Sequence, residues 1–320
     1  MKKIIIFILL LIFIPFFIVI IYNKNYKEIS LNYINTRYIR VKRMASGNIE
    51  TIPLEEYIVG VLAGEMPISF DLEALKAQAV ASRSYALKRM EYNKNNDYDV
   101  IDSIMNQVYL DNDYLKNAWN NNYIKNINKL RQAVNATIDE YLEYDGKIVD
   151  AMFFSTSNGY TEDSTNIFNF NCEYLKSVES PWDETVSSAF ITKKSIPLTE
   201  FYQKLALPYN KNLNIEIIKR STTGRILLLK INNKEFKGTD VYNKLSIRST
   251  DFNIQLEGNY VMVTTKGYGH GVGMSQYGAL GMAKKGYTYD EILKHYYSNV
   301  NITKLKIWKK CIYFQILLTM

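Results

Sequence analysis

The chain has 320 residues, 47% apolar and 22% charged, the make-up of a folded protein rather than a disordered one. Its formal charge of +7, from 39 Lys and Arg against 32 Asp and Glu, favours approach to an anionic polymer or surface by long-range attraction. The basic residues are scattered, without a recognition helix, zinc finger or aromatic RNA-binding motif beside them, which argues against nucleic acid; the surplus reads more readily as a solvated lysine-rich surface, with anionic cell wall a compatible partner.

At the amino terminus, Lys2 and Lys3 precede an apolar run from Ile4 to Tyr22, broken only by Pro15. At about 1.5 Å per residue the run spans roughly the 30 Å hydrocarbon core of a bilayer. The positive flank predicts a cytoplasmic amino terminus, with the rest of the chain outside. No small-residue cleavage signal precedes the polar Asn23–Lys27 stretch, so an uncleaved single-pass anchor is expected over residues 1–24. A main domain over 25–305 and an apolar tail of unassigned role over 306–320 complete the chain.

Tyr38–Val41 alternates like a strand, and Leu54–Leu62 reads as a short helix. Ser69 and Asp71 offer caps for a strong helix running to about Tyr92, whose alanine-rich centre implies close packing. The polar Asn93–Asp97 stretch interrupts the pattern, and one further helix is expected over Asp113–Thr137. Tyr141–Ser155 reads as strand, turn and strand around Asp145-Gly146. A weaker helix is expected over Ser195–Leu205, and strands over Ile215–Lys219, Arg225–Ile231 and Tyr260–Thr265. Helices over Met274–Lys284 and Tyr289–Tyr297 follow. Helices and strands mix without regular alternation, which predicts an α+β fold. Cys172 and Cys311 cannot build a disulfide framework, and a single long-range pair between them stays open.

Four segments carry residues suited to chemistry. Glu65 stands between Gly64 and Met66-Pro67, where the proline forces a turn. Pressed against apolar neighbours, its carboxyl could stay protonated near neutral pH, although by itself it reads more readily as a capping or solvated glutamate. Lys76 and Arg83 share a helix face near Gln78 and could grip sugar oxygens or a carboxylate; a solvated basic stripe is the plainer account. Ser155, Thr156, Ser157 and Tyr160 lie in a hydroxyl-rich loop suited to carbohydrate, or simply to a turn. Gly267, Gly269, Gly271 and Gly273 alternate through a loop carrying His270 and leading to Ser275 and Gln276. That spacing is neither a dinucleotide fingerprint nor a P-loop. It presents His270 to a cleft, or holds it structurally.

In this order and spacing, Leu54–Pro67, Ala74–Ala86, Ser155–Glu162, Ser180-Pro181-Trp182-Asp183, Arg248-Ser249-Thr250-Asp251-Phe252 and the His270 loop resemble the stage II sporulation protein D family, related to the LytB amidase enhancers. The resemblance implies a single extracytoplasmic domain with a substrate cleft. It also implies a lytic transglycosylase that cleaves the MurNAc–GlcNAc bond of peptidoglycan with 1,6-anhydro-MurNAc formation, acting from the mother-cell membrane during engulfment in endospore formation. The family's catalytic acid falls on Glu65, and helix residues important for activity fall on Lys76 and Arg83. We expect Lys76, Gln78, Arg83, Ser155, Thr156, Ser157, Tyr160, His270, Ser275 and Gln276 to bind the glycan.

By the same resemblance the strand is first stripped of stem peptides by stage II sporulation protein P, and stage II sporulation protein M is the membrane scaffold. Some relatives bind zinc through Cys and His between the long helix and a Gln-Val-Tyr segment. The corresponding Asp97–Gln107 interval has neither, so no metal or cofactor is expected. A non-catalytic wall binder that enhances an amidase is the main alternative, and a membrane-tethered scaffold a third.

Overall fold

The computed structural model describes residues 27–32, 37–168 and 170–306, with positions 11 and 13–15 near the amino terminus. The expected membrane span falls almost wholly outside the described residues, as do Cys311 and the tail beyond 306. Among the described residues, no helix is long and apolar enough to cross a membrane.

Strand β1 (Tyr38–Lys42) pairs antiparallel with β2 (Ile49–Pro53), which runs directly into helix α1 (Leu54–Glu65). Helix α2 (Leu72–Tyr92) starts where the Asp71 carboxylate accepts the Glu73 N–H at 3.0 Å, an N-cap that satisfies one orphan donor. The short β3 (Val100–Ile101) adds to β1 in parallel. One helix was expected over residues 113–137; there are two, α3 (Asn112–Trp119) and α4 (Tyr123–Ala136). The break comes at Asn120, whose φ of 45° and ψ of −122° interrupt helical geometry. Strands β4 (Glu140–Tyr144) and β5 (Lys147–Ile148) form the expected hairpin, with Asp145 and Gly146 both at positive φ, as a tight two-residue turn demands.

Beyond β6 (Phe153–Phe154), α5 (Ser164–Phe168) and α6 (Asp183–Val186), the chain builds a lobe with its own sheets. Its elements are β7 (Ile191–Pro197), α7 (Leu198–Lys204), β8 (Ile215–Arg220), β9 (Ile226–Ile231), β10 (Lys234–Lys237), α8 (Gly238–Leu245), β11 (Phe252–Glu257) and β12 (Tyr260–Lys266). The sheets run β10-β9-β8 and β11-β12-β7, antiparallel throughout. The helix expected from Ser195 begins only at Leu198, because Pro197 holds the preceding Ile196 in extended geometry and ends β7. The chain closes with β13 (Met274–Ser275), which pairs in parallel with β6, then α9 (Gln276–Lys284), α10 (Tyr289–Tyr296) and β14 (Asn301–Lys304), which pairs with β4.

The architecture is α+β, organised around α2. Leu75, Ala79, Ala86 and Leu87 face a core shared with α1 and α4. Ala74, Ala77, Val80 and Ala81 face a second core shared with α9 and α10. The helix is buried on two faces, and its small side chains there let the neighbours approach closely. A third core, within residues 196–263, fills the lobe.

Candidate active site

Glu65 is the last residue of α1. Met66 leaves the helix at φ −122° and ψ 138°, as a residue before proline must, so the carboxyl emerges at a helix end. Gly60 and Gly64 face the Gln107–Leu110 segment, and a Cβ at Gly64 would lie 2.5 Å from the Val108 carbonyl oxygen. The absent side chains bring that segment against α1, where the Val108 N–H donates to Glu65 Oε1 at 2.7 Å.

Glu65 lies on a cleft of about 650 Å³. One wall is apolar and aromatic, formed by Met152, Phe153, Phe154, Phe168 and Tyr268; Tyr85, Arg89 and Asn106 supply polar groups. Among the described residues that line the cleft, Glu65 is the one carboxylate. Burial pushes its pKa above the usual carboxylate range, against the opposing pull of the Val108 N–H and the nearby Gln276 amide. Gln276, 6% exposed, is close enough to favour the charged form, but its Nε2 lacks a formed hydrogen bond. Arg89 stacks 4.6 Å from the Tyr85 ring centroid and donates to Asp150 Oδ2 at 2.6 Å, so its charge is already matched.

The alternating glycines are a packing device. Gly267, Gly269, Gly271 and Gly273 all have positive φ, and a Cβ at Gly267 or Gly269 would meet Thr156 or Phe154 within 3 Å. The loop therefore lies flat against residues 152–157 as the cleft wall. His270 touches the cleft between the rings of Phe154 and Phe168, yet both its nitrogens are committed. Nδ1 accepts the Val272 N–H at 3.1 Å, which leaves Nε2–H to donate to the Phe153 carbonyl at 3.0 Å. Burial, with the charge of Arg225, pushes the imidazole pKa down to about 4. A histidine so held stays neutral and shapes the wall.

Between the ordinary histidine value of about 6.5 and this lowered one, the unfolded chain binds more protons than the folded. Stability contributed by His270 is thus present above the ordinary value and lost as pH falls towards 4. The loss should reach on the order of 2 kcal/mol, allowing for partial exposure. Thermal melts across that window should show a decline that is shallower in His270→Asn.

The other expected glycan ligands divide. Ser155 and Gln276 line the cleft with Glu65 and His270. Lys76, Gln78, Arg83, Thr156, Ser157, Tyr160 and Ser275 do not. Lys76 Nζ pairs with Glu73 at 2.6 Å and lies over the Tyr289 ring. Gln78 is fully buried and donates to Ser82 Oγ. Arg83 is fully buried too, donating from Nε and Nη2 to the two Glu55 oxygens at 2.8 and 2.6 Å and from Nη1 to the Glu140 carbonyl at 2.9 Å. Arg83 is therefore interior with its counter-charge supplied by α1, whereas half-buried Lys76 is matched by Glu73 of its own helix.

Thr156, Ser157 and Ser275 form a buried hydroxyl network: Thr156 Oγ1 meets Ser187 Oγ, while the Ser157 N–H and the Ser275 hydroxyl donate to Asp183 Oδ1. The Ser155–Ser157 run and the Ser180–Asp183 motif thus hold each other behind the wall. Tyr160 is exposed and bridges to Glu179 outside the cleft. Tyr85, Arg89, Asn106 and Tyr268 line the cleft without having been named as ligands from sequence, although Tyr85 lies in the Ala74–Ala86 segment and Tyr268 in the glycine loop. Among the described residues, no group of three or more His, Cys, Asp or Glu side chains is placed to hold a metal ion.

The SpoIID family model, described as "Stage II sporulation protein", matches residues 42–144. Stage II sporulation protein D of Bacillus amyloliquefaciens is 41% identical over 271 residues, covering 83% of this chain and 78% of its own. The protein of the same name from Bacillus subtilis (strain 168) is 42% identical over 271 residues, covering 83% and 79%. An amidase enhancer of Bacillus subtilis (strain 168) is 29% identical over 298 residues, covering 76% of this chain and 40% of its own. With 41% and 42% identity to these two relatives along most of both chains, the chain belongs to the stage II sporulation protein D family.

Proposed function

We propose that the chain is a peptidoglycan lytic transglycosylase, held by an amino-terminal membrane anchor and acting outside the cytoplasm during engulfment. The observation that carries this reading is a lone cleft carboxyl whose pKa is raised by burial. Ordinary glycosidases need two carboxylates, one as acid and one as base or nucleophile. An intramolecular displacement needs one.

Protonated Glu65 donates its proton to the oxygen joining muramic acid C1 to N-acetylglucosamine, and the C1–O bond breaks. The C6 hydroxyl of the muramic acid attacks C1 to close the 1,6-anhydro ring, and its proton passes to the Glu65 carboxylate. The acid is regenerated and no water is consumed. The Val108 N–H orients the carboxyl, with the buried Gln276 amide beside it, while the aromatic wall packs against apolar sugar faces. The substrate is glycan already stripped by a partner amidase, with a membrane scaffold holding the two together.

Likeness to an amidase enhancer favours one second reading, a wall binder without chemistry. Digesting purified peptide-free glycan and weighing the products separates them. Products lighter than hydrolytic ones by one water support the transglycosylase. Reducing ends would mean a hydrolase, and binding without products would leave the binder.

A further inference from the structure

Behind the glycine loop of the cleft wall lies a buried arginine that the cleavage step does not use. Arg225 follows the turn between β8 and β9, so it belongs to the lobe, and its side chain is fully buried. A Cβ at Gly271 would stand 2.6, 2.6 and 2.7 Å from Arg225 Cζ, Nη2 and Nε. Near-equal distances to three atoms of one plane set the guanidinium face-on against the glycine. Only a residue without a side chain allows so close an approach.

Glu162, also fully buried, ties the same turn to both parts of the wall. Its Oε2 accepts the hydroxyls of Ser221, at 2.6 Å, and Thr223, and lies 3.9 Å from Arg225 Nε. Its N–H donates to the Gly271 carbonyl at 2.7 Å, and its Oε1 accepts the Asn166 amide at 2.8 Å. Asn166 lies on α5, which carries Phe168 into the wall against His270.

For stability alone this is a poor place for an arginine. Nε and Nη1 have no hydrogen-bond partner among the described residues, and Nη2 reaches Asn158 Oδ1 only at 3.5 Å. A buried charge so thinly matched costs more than an apolar side chain of similar size. What Arg225 does fit closely is Gly271, and through it the loop that carries His270.

We propose that Arg225 is a positioning residue for the cleft wall, the point at which the lobe presses the His270 loop into the shape that receives the glycan. The proposal rests on glycan occupying the Glu65 cleft. Arg225 does not line that cleft; it acts through Gly271 and, by way of Glu162, through Phe168. Glu65 stands on α1, which packs against α2 and α4, so the acid should stay in place when Arg225 is changed.

The test is Arg225→Met in the full chain, read by kinetics on peptide-free glycan and by amide exchange. Glu162 keeps its Ser221, Thr223 and Asn166 donors, so the melting temperature should hold. KM should rise roughly tenfold while kcat changes by less than about threefold, the pattern of lost binding rather than lost chemistry. Exchange should quicken over residues 267–273 and stay unchanged along α1. If the single change unfolds the chain, adding Glu162→Gln removes both buried charges, and the same split is expected of the pair. An arginine needed only for folding would lower the active fraction instead, so that apparent kcat falls while KM holds. That result, unaltered kinetics or unaltered exchange overturns the proposal. If the unmutated chain releases no anhydro ends, the transglycosylase fails instead. Exchange, with glycan binding compared in Glu65→Gln with and without the Arg225 change, then decides the role of Arg225.

Discussion

Glu65→Gln is expected to cut glycan cleavage by about 10³-fold, the contribution of a placed general acid, while raising rather than lowering the melting temperature at neutral pH. The two effects have one cause. Burial lifts the Glu65 pKa above the ordinary carboxylate range, so the fold favours the protonated form. The stability tied to that form is fully present below the ordinary carboxyl pKa and is lost as pH rises through the raised value. Glutamine cannot ionise, and its carbonyl can still accept the Val108 N–H. At neutral pH the variant should therefore melt higher by on the order of 2 °C, and the gap should close in acid. Turnover by the unmutated protein should fall along an alkaline limb set by the same raised pKa. Glu65→Asp, which withdraws the acid by one methylene, should lose about 10²-fold through misplacement. Cleavage that persists in Glu65→Gln, or a variant that melts lower at neutral pH, would remove Glu65 from this role.

Much of the scaffold was legible because its signals are local. Asp71 caps α2, and Asp145-Gly146 turns the β4–β5 hairpin. The split between α3 and α4 at Asn120 and the extension of β7 to Pro197 were harder, since each depends on one residue interrupting a favourable period. At the site, the motif around Glu65 drew its meaning from family resemblance. Its physical basis, two glycines admitting the Val108 segment, lies in a contact between residues distant in sequence. Periodicity showed that Lys76 and Arg83 share a helix, but not what faces each of them. Whether a basic residue meets water or Glu55 is decided by where α1 docks. His270 shows the same limit: an isolated histidine in a glycine loop looks poised for chemistry until the Val272 and Phe153 backbone groups take both nitrogens.

Arg83→Met should destabilise the protein by about 3–5 kcal/mol, the usual cost of leaving one member of a buried ion pair without its partner. Arg83 is fully buried, and its loss strands Glu55 on α1 and the Glu140 carbonyl on β4. Thermal or urea unfolding should register a fall in melting temperature on the order of 10 °C. Glycan cleavage should fall as well, because Arg83 fixes α1 and α1 carries Glu65 at its far end. The companion Glu55→Met change decides the mechanism. If Arg83 acts by positioning, removing both charges together should recover most of the stability, since a buried ion pair replaced by apolar side chains of similar volume is often neutral. Activity should then return with the fold. If Arg83 instead gripped the sugar, the double variant would fold and still fail to cut. The arrangement of α1, α2 and β4 predicts recovery, which makes Arg83 a positioning residue for the acid at the other end of the helix it holds.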